Sequence, residues 1–278
     1  MKKSMKKYAP VFLIPTFIAF TIGFIVPFVM GIYLSFCQFT TVNDASFVGI
    51  RNYKDIFTDS TFIHSLWFTV LFTIITVIVI NVFAFLAALI LTKDVPGTNL
   101  FRTVFFMPNL IGGIILGYIW QLILNGILLQ FNRTLTFKAV YGFWGLVILL
   151  CWQQIGYMMI IYIAGIKSIP GDLIEAAKMD GATRPQLVGQ VVIPMVMPSI
   201  TICTFLTLTN SFKLFDQNLA LTAGQPSKMT EMLALNIYNT FYGRSGWEGV
   251  GQAKAVVFFL IVALIAILQN KLTRQKEV

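Results

Sequence analysis

The sequence predicts an all-α integral membrane protein of six transmembrane helices, and three observations carry that prediction. The 278 residues are 57% hydrophobic and only 11% charged, whereas soluble domains carry about a quarter charged residues. Mean hydropathy is +0.81, and the apolar residues come in runs long enough to span a bilayer. Lys and Arg gather at the ends of those runs. A net charge of +9 in a soluble chain would suggest nucleic acid. Here the placement of the cations assigns them to membrane lipid and topology, and no nucleic-acid partner is expected.

Lys2, Lys3, Lys6 and Lys7 precede the first apolar run, Val11 to Phe36. At about 26 residues it exceeds a signal-peptide core of about 7–15, and no small-x-small cleavage site closes it. It is read as span 1 (11–36), with Pro15 and Pro27 tolerated as kinks. A polar stretch covers 37–61, and span 2 (62–92) is long enough to protrude from the bilayer. Lys93-Asp94-Val95-Pro96-Gly97 is a turn, and Arg102 precedes span 3 (103–124). After a loop at 125–141 come span 4 (142–166), a polar loop at 167–193 and span 5 (194–215). A polar stretch (216–249) leads to span 6 (250–268), so 1–278 reads as one transmembrane domain. With the N-terminus inside, the inside segments hold Lys2, Lys3, Lys6, Lys7, Lys93, Arg102, Lys167, Lys178, Arg184, Lys271, Arg274 and Lys276. These are twelve of the twenty basic residues, in less total length than the outside segments assigned the rest. Both termini and the 167–193 loop are therefore expected in the cytoplasm.

Several classes are excluded. Cys37, Cys151 and Cys203 lack metal-like spacing, and the last two lie in apolar runs as small core residues. His64 is the sole histidine, which rules out a His-based metal cluster and argues against a His-dependent triad. No G-x-x-x-x-G-K-[ST] loop occurs, so this chain has no such cradle for ATP phosphates. Neither an enzyme nor a cofactor-binding chain is predicted.

The loop at 167–193 is more than a link, because a connection needs only a handful of residues. Pro170 and Gly171 open a helix that Ser168 is placed to cap, and Asp172 and Glu175 complement its positive end. Ile169, Leu173, Ala176 and Ala177 fall on one face. Gly181 ends the helix where a positive φ is expected, and Thr183 and Pro185 begin a second one.

These residues carry a resemblance. Glu175-Ala176-Ala177, three residues, Gly181, nine residues and Val191-Val192-Ile193-Pro194 are similar to the EAA loop of bacterial ABC importer permeases. Val191 and Ile193 are conservative departures, and Val188 stands where that family usually has Phe. Ser168-Ile169-Pro170 with Asp180-Gly181-Ala182 resembles the carbohydrate branch, of maltose and multiple-sugar permeases. So do Phe47-Val48-Gly49-Ile50-Arg51-Asn52-Tyr53 and Leu221-Thr222-Ala223-Gly224-Gln225-Pro226, the latter with Gln225 where a second glycine is usual.

The resemblance implies a type I importer permease fold whose loop is a coupling helix seated in a cytoplasmic ATPase. By it, Glu175, Ala176, Ala177, Asp180 and Gly181 are the ATPase-coupling residues, and the partner ATPase dimer binds ATP and Mg. Further partners are a second permease subunit in a heterodimer, an extracytoplasmic sugar-binding protein and the sugar itself. The location implied is the bacterial cell membrane. Glu175 is the candidate for a charge-assisted contact to the ATPase, alongside a local pair with Lys178.

For the solute path, intramembrane polar groups point to a cavity. Lys213 and Asp216 lie three apart with Asn210 one turn earlier, spaced to pair while presenting hydroxyl-binding groups to a cavity. The alternative is that Lys213 snorkels outward and that Trp152 and Tyr157 are interface anchors. Gln153, Gln154 and Tyr157 form a stripe beside Trp152. The resemblance, which places substrate contacts on the spans flanking the loop, points first to Tyr157, Asn210 and Ser211, then to Gln154, Lys213 and Asp216. The rival reading, a stand-alone secondary transporter, has only Asp216 for ion coupling and no obvious internal repeat.

Overall fold

The computed structural model describes residues 2–93 and 96–274. Asp94 and Val95 of the expected turn, and Lys276 of the basic tail, lie outside the described residues. The helices are α1 (Lys2–Phe20), α2 (Val26–Leu34), α3 (Arg51–Thr58), α4 (Ser60–Leu91), α5 (Thr98–Phe106), α6 (Gly113–Leu129), α7 (Ala139–Lys167), α8 (Gly171–Met179), α9 (Arg184–Leu187), α10 (Ile193–Met195), α11 (Met197–Phe212), α12 (Asp216–Leu221), α13 (Leu233–Gly243) and α14 (Glu248–Arg274). A two-stranded hairpin, β1 (Cys37–Gln38) with β2 (Ser46–Phe47), sits between α2 and α3, pairing Cys37 with Phe47 and Gln38 with Ser46.

Among the described residues, four helices are long and apolar enough to cross a membrane alone: Val11–Leu34, Ser60–Leu91, Ala139–Lys167 and Glu248–Gln269. Two further crossings require bent pairs. Thr98–Leu110 and Gly113–Leu129 meet at 103°, and Arg184–Met195 and Met197–Phe212 at 73°. The apolar runs at 103–124 and 194–215 are therefore not straight. In the first, Pro108 lies in a 3-10 turn (Met107–Leu110) and Gly112 leaves the helical region at φ −59°, ψ 139°. In the second, the helix breaks at Val196, between Pro194 and Pro198. Hydropathy counts residues and does not register such breaks. The polar stretch at 216–249 also holds two helices, α12 and α13, where the sequence suggested a loop.

Prolines shape two other spots in one way. A π-helical turn covers Thr21–Ile25 and ends two residues before Pro27, and another covers Val188–Val192 and ends two residues before Pro194. Proline removes an N–H and crowds the carbonyl four residues back, and a wider turn relieves both.

The chain packs as two compact units. One comprises Met1–Ser60 with Ile237–Leu260. In it the F-V-G-x-x-N-Y stretch acquires a structural reason. Gly49 adopts φ 62°, and Asn52 turns inward, its Nδ2 donating to the carbonyls of Ser35 (2.9 Å) and Cys37 (2.8 Å). Tyr53 hydroxyl meets Ser35 Oγ at 2.7 Å. The hairpin turn is closed by Thr41 and Asp44 as a capping box. The N–H groups of Thr41 and Thr40 hold the Asp44 carboxyl below the usual carboxylate range. Lys254 corrects the charge pattern. It is not a loop cation but lies in α14, fully buried, with Nζ 2.8 Å from both Asp59 Oδ2 and Thr240 Oγ1. Arg244 approaches the same carboxylate at 3.8 Å.

The other unit comprises Thr61–Asn236 with Ile261–Val278, and α7 is its core helix. Its α4 shows how a helix packs when lipid is the solvent. The buried stripe mixes Ser65, Thr69, Thr73, Thr76, Ala84 and Ala88 with Phe62, Phe72, Ile80 and Leu91, while Leu71, Ile74, Ile78, Phe83 and Ile90 face outward. Small and hydroxyl residues concentrate on the protein-facing side, beside large apolar ones, because they allow close approach and bonds between helices that lipid cannot supply. At 32 residues this helix is about 48 Å long, beyond the ~30 Å hydrocarbon core. Cys151 and Cys203 are buried free thiols.

Close approach fixes α7 against its neighbours. A Cβ on Gly156 would stand 1.7 Å from the Phe105 carbonyl oxygen, whereas one on Gly126 would meet nothing within 4 Å. Gly156→Ala is thus expected to cost more than the ~1–3 kcal/mol of ordinary overpacking, because the obstacle is backbone. The thermal midpoint of the detergent-extracted protein should fall clearly, since such a loss is a large part of a net stability of about 5–15 kcal/mol, and stay near wild type for Gly126→Ala.

Candidate functional site

Two sites emerge, both in the unit around α7. The first is the loop between α7 and α11. Ser168 does not cap the next helix as expected. It lies in the αR region at the end of α7, and its Oγ donates back to the Gly165 carbonyl at 2.7 Å. Pro170 is the residue before α8, and Asp172 alone is acidic in the first turn. Glu175 lies one turn further along.

The end of α8 is as anticipated. Gly181 takes φ 80°, its N–H donates to the Lys178 carbonyl (3.1 Å), and Ala182 N–H donates to Ala177 (3.0 Å). This paired closure uses the left-handed region that glycine occupies without strain. Thr183 and Gln186 then form a capping box that starts α9.

The expected helical face is only partly correct. Ile169 is buried and Ile174 packs against the core. Leu173 and Ala176 turn outward with Glu175 and Asp180, Ala177 is half-buried, and Met179 is 87% exposed. Leu173 is displaced because Ile174, one position on, takes the inward place. Glu175 and Lys178 do not form the expected ion pair; both point to solvent. The result is a short, rigidly closed helix presenting small, apolar and acidic groups on an open surface.

The second site is a cavity of about 280 Å³ lined by Leu150, Gln154, Asn210, Lys213, Leu214, Phe215, Asp216 and Gln217. Four residues singled out from sequence meet here: Gln154, Asn210, Lys213 and Asp216. Asn210 Nδ2 approaches Gln154 Oε1 at 3.4 Å, which joins α7 to α11. Lys213 and Asp216 line the same space but form no ion pair. They sit on either side of the break between two helices, Lys213 ending α11 and Asp216 opening α12. Each charge complements its own helix end.

Close packing of α6 on α12 places Asp216. A Cβ on Gly113 would be 2.7 Å from Asp216 Cβ, and one on Gly117 2.6 Å from Ala220 Cβ. Gln153 braces the floor from the side. Its Nε2 lies 3.4 Å from the Ile111 carbonyl at the bend, and its Oε1 accepts from Gln217 Nε2 at 2.8 Å.

Tyr157 and Ser211 are not among the lining residues. Tyr157 is half-buried against Phe106, with ring centroids 6.2 Å apart. Ser211 is fully buried and accepts from Thr76 Oγ1 at 2.9 Å. It follows Asn210 directly, and one step along a helix turns a side chain by about 100°, away from the cavity. Gln217 was missed. Its position after Asp216 was the only signal, and the turn into α12 that aims it inward is invisible in hydropathy.

The L-T-x-G-x-P stretch is the tightly tied loop following α12. Asn218 Nδ2 donates to Thr222 Oγ1 (3.0 Å) and to the Thr230 carbonyl (2.8 Å), while its Oδ1 accepts from Met232 N–H (2.9 Å). Gly224 takes φ 80°, whereas Gln225 is not among the positive-φ residues. A side chain is therefore tolerated where the second glycine is usual.

Residues 82–277 match the family described as "Binding-protein-dependent transport system inner membrane component". The chain is 44% identical to the "Probable starch degradation products transport system permease protein AmyD" of Thermoanaerobacterium thermosulfurigenes, covering 96% of this chain and 94% of that one. It is 30% identical to the "Multiple sugar-binding transport system permease protein MsmF" of Streptococcus mutans, covering 100% and 99%. Its fold is similar to a chain from the crystal structure of a bacterial ABC transporter involved in the import of the acidic polysaccharide alginate. There the TM-score is 0.82 at 20% identity, over 98% of each chain. The all-α membrane fold is thus that of an ABC importer permease. A stand-alone secondary transporter is set aside, because the matched family depends on a binding protein. The chain belongs to the inner-membrane permease components of binding-protein-dependent transport systems.

Proposed function

We propose that this permease imports a neutral oligosaccharide released from starch, and that the 280 Å³ cavity reads one sugar ring of it. The observation that carries this reading is the lining. Gln154, Asn210 and Gln217 offer amides that both donate and accept, beside the isolated charges of Lys213 and Asp216. Sugar hydroxyls need such two-way partners. The volume falls just below the ~300–1,000 Å³ of ordinary ligand pockets, which suits a ring in transit better than a whole oligosaccharide. The starch and multiple-sugar systems of its relatives support the same class.

In this reading the chain acts as one transmembrane permease domain of six spans, each bent pair counting as one, with both termini in the cytoplasm. It pairs with a second, different permease chain and receives solute from an extracytoplasmic sugar-binding protein. An ATPase dimer grips α8 through Glu175, Ala176, Ala177, Asp180 and Gly181. That dimer binds ATP and Mg, and its closure shifts the permease between its two access states by binding one more tightly than the other.

Reconstituted with its binding protein, second permease and ATPase, the protein is expected to import maltotriose in preference to an anionic solute such as glycerol phosphate. Asn210→Ala should lower maltotriose uptake roughly tenfold, the value of one or two hydrogen bonds left unmade, with assembly unchanged. Preference for the anion, or unchanged uptake by Asn210→Ala, would overturn the assignment.

A further inference from the structure

A hydrogen-bond relay with a half-buried hub and two buried ends links three helices between the loop and the cavity. The Tyr162 hydroxyl on α7 donates to Asn81 Oδ1 on α4 at 2.7 Å. Asn81 Nδ2 donates to Thr207 Oγ1 on α11 at 2.9 Å and to the Val77 carbonyl at 2.8 Å. Thr207 Oγ1 then donates to the Cys203 carbonyl at 2.7 Å. Thr207 is fully buried, and Tyr162 is 1% exposed. The two sides of the Asn81 amide are used separately, its oxygen for α7 and its nitrogen for α11. No apolar residue, and no residue with a donor alone, replaces both.

The relay's position is what matters. Along α7, Tyr162 stands eight residues from Gln154 in the cavity and six from Ser168 at the loop, about 12 Å and 9 Å at 1.5 Å per residue. Along α11, Thr207 is three residues from Asn210, on the side towards the loop. A second tie lies beyond the relay, where Thr76 Oγ1 donates to Ser211 Oγ at 2.9 Å, next to Asn210. The helices entering and leaving the loop are thus pinned to one point on α4 before they reach the cavity.

We infer that Asn81 is a positioning residue for transport. Through Tyr162 and Thr207 it holds α7 and α11 in fixed register, so that displacement of the 168–196 loop reaches Gln154 and Asn210 as a joint movement. This inference rests on the proposed roles of that loop and that cavity. Side-chain hydrogen bonds between membrane helices are worth only about 0.6–2 kcal/mol each. Loosening one should disturb register while leaving the fold intact.

The test uses the complete reconstituted importer. Tyr162→Phe and Thr207→Val each delete one bond at nearly constant shape, and Tyr162→Phe keeps the edge-to-face contact with Phe85 (centroids 5.5 Å apart). The triple variant Asn81→Leu/Tyr162→Phe/Thr207→Val makes the hub apolar, with no unmade bond, a replacement that is nearly neutral for stability. Two readouts are taken: maltotriose imported per ATP hydrolysed, and the stimulation of hydrolysis by the loaded binding protein. Both are expected to fall roughly fivefold in all three variants, about one neutral hydrogen bond, at wild-type co-purification of the subunits. A hub that only stabilises would leave both readouts at wild type in the triple variant, and that result would overturn the inference. Glu175→Lys and Asn210→Ala in the same preparations test the loop and cavity readings separately. If the wild type imports no maltotriose, the solute assignment alone fails. The hub is then judged by the stimulation of hydrolysis, with a drop supporting it and no change sinking it.

Discussion

Glu175→Lys is expected to reduce solute uptake at least roughly tenfold in the reconstituted importer, while the permease itself stays folded. Glu175 is exposed on α8, so reversing its charge breaks no contact within the chain. The loss would come from the partner. A charge-assisted hydrogen bond contributes about 1.5–3 kcal/mol, a factor of roughly ten to a hundred in association, and a lysine adds repulsion if the ATPase surface there is basic. Co-purification of the ATPase with the permease, measured beside uptake, locates the defect. Unchanged co-purification and uptake would remove α8 as the docking element. Glu175→Gln should be milder, since it keeps an acceptor without the charge.

The second large effect is internal. Lys254 has no exposed surface, and its Nζ meets Asp59 Oδ2 at 2.8 Å. Removing one member of a buried ion pair strands the other charge, at a cost of about 3–5 kcal/mol, whereas replacing both with apolar groups is often neutral. Asp59→Leu, which strands the buried ammonium, is expected to lower the yield and the thermal midpoint of the detergent-purified protein sharply, and Lys254→Met to do so less, because Arg244 still approaches Asp59 at 3.8 Å. A loss of that size is a large part of a typical net stability of about 5–15 kcal/mol. The double variant should recover most of it, although Arg244, 3.8 Å from Asp59, then loses its nearby counter-charge. If the double variant is as unstable as either single one, the pair is not the source of the stability.

The two predictions differ in how far the sequence foretells them. Glu175 is singled out by a family resemblance that rests on a local pattern, and its role stays a proposal. The glycine closure at Gly181 and the capped start at Thr183 are local too, both decided by residues three to five apart. Lys254 falls among the basic residues counted with the outside segments, although it lies a few residues into the apolar run at 250–268. A lone lysine a few residues into such a run does signal a buried partner. That partner, Asp59, lies 195 residues away in a stretch that reads as a polar loop.

The residues proposed for the solute path divide along the same line. Gln154, Asn210, Lys213 and Asp216 stand out as polar groups near apolar spans, and the cavity gathers them. Ser211, to which only the resemblance points, faces the other way, tied to Thr76. Periodicity gives the angle between neighbours on a helix but not which side of that helix is lined by protein.

The class is legible in the residues alone: a membrane-embedded helical chain, the positions of its apolar runs, and the local grammar of the 167–193 loop. These follow from composition, run length and capping, all properties of contiguous residues. That two of the runs bend, at Gly112 and Val196, and which polar residues share a cavity become visible in the packed fold alone. It alone placed Asn81, Tyr162 and Thr207 at one point between that cavity and the loop. The physical reason is common to all of these. In lipid the hydrophobic effect does not distinguish one apolar helix face from another. The faces are chosen by close approach at glycines and by hydrogen bonds between distant residues.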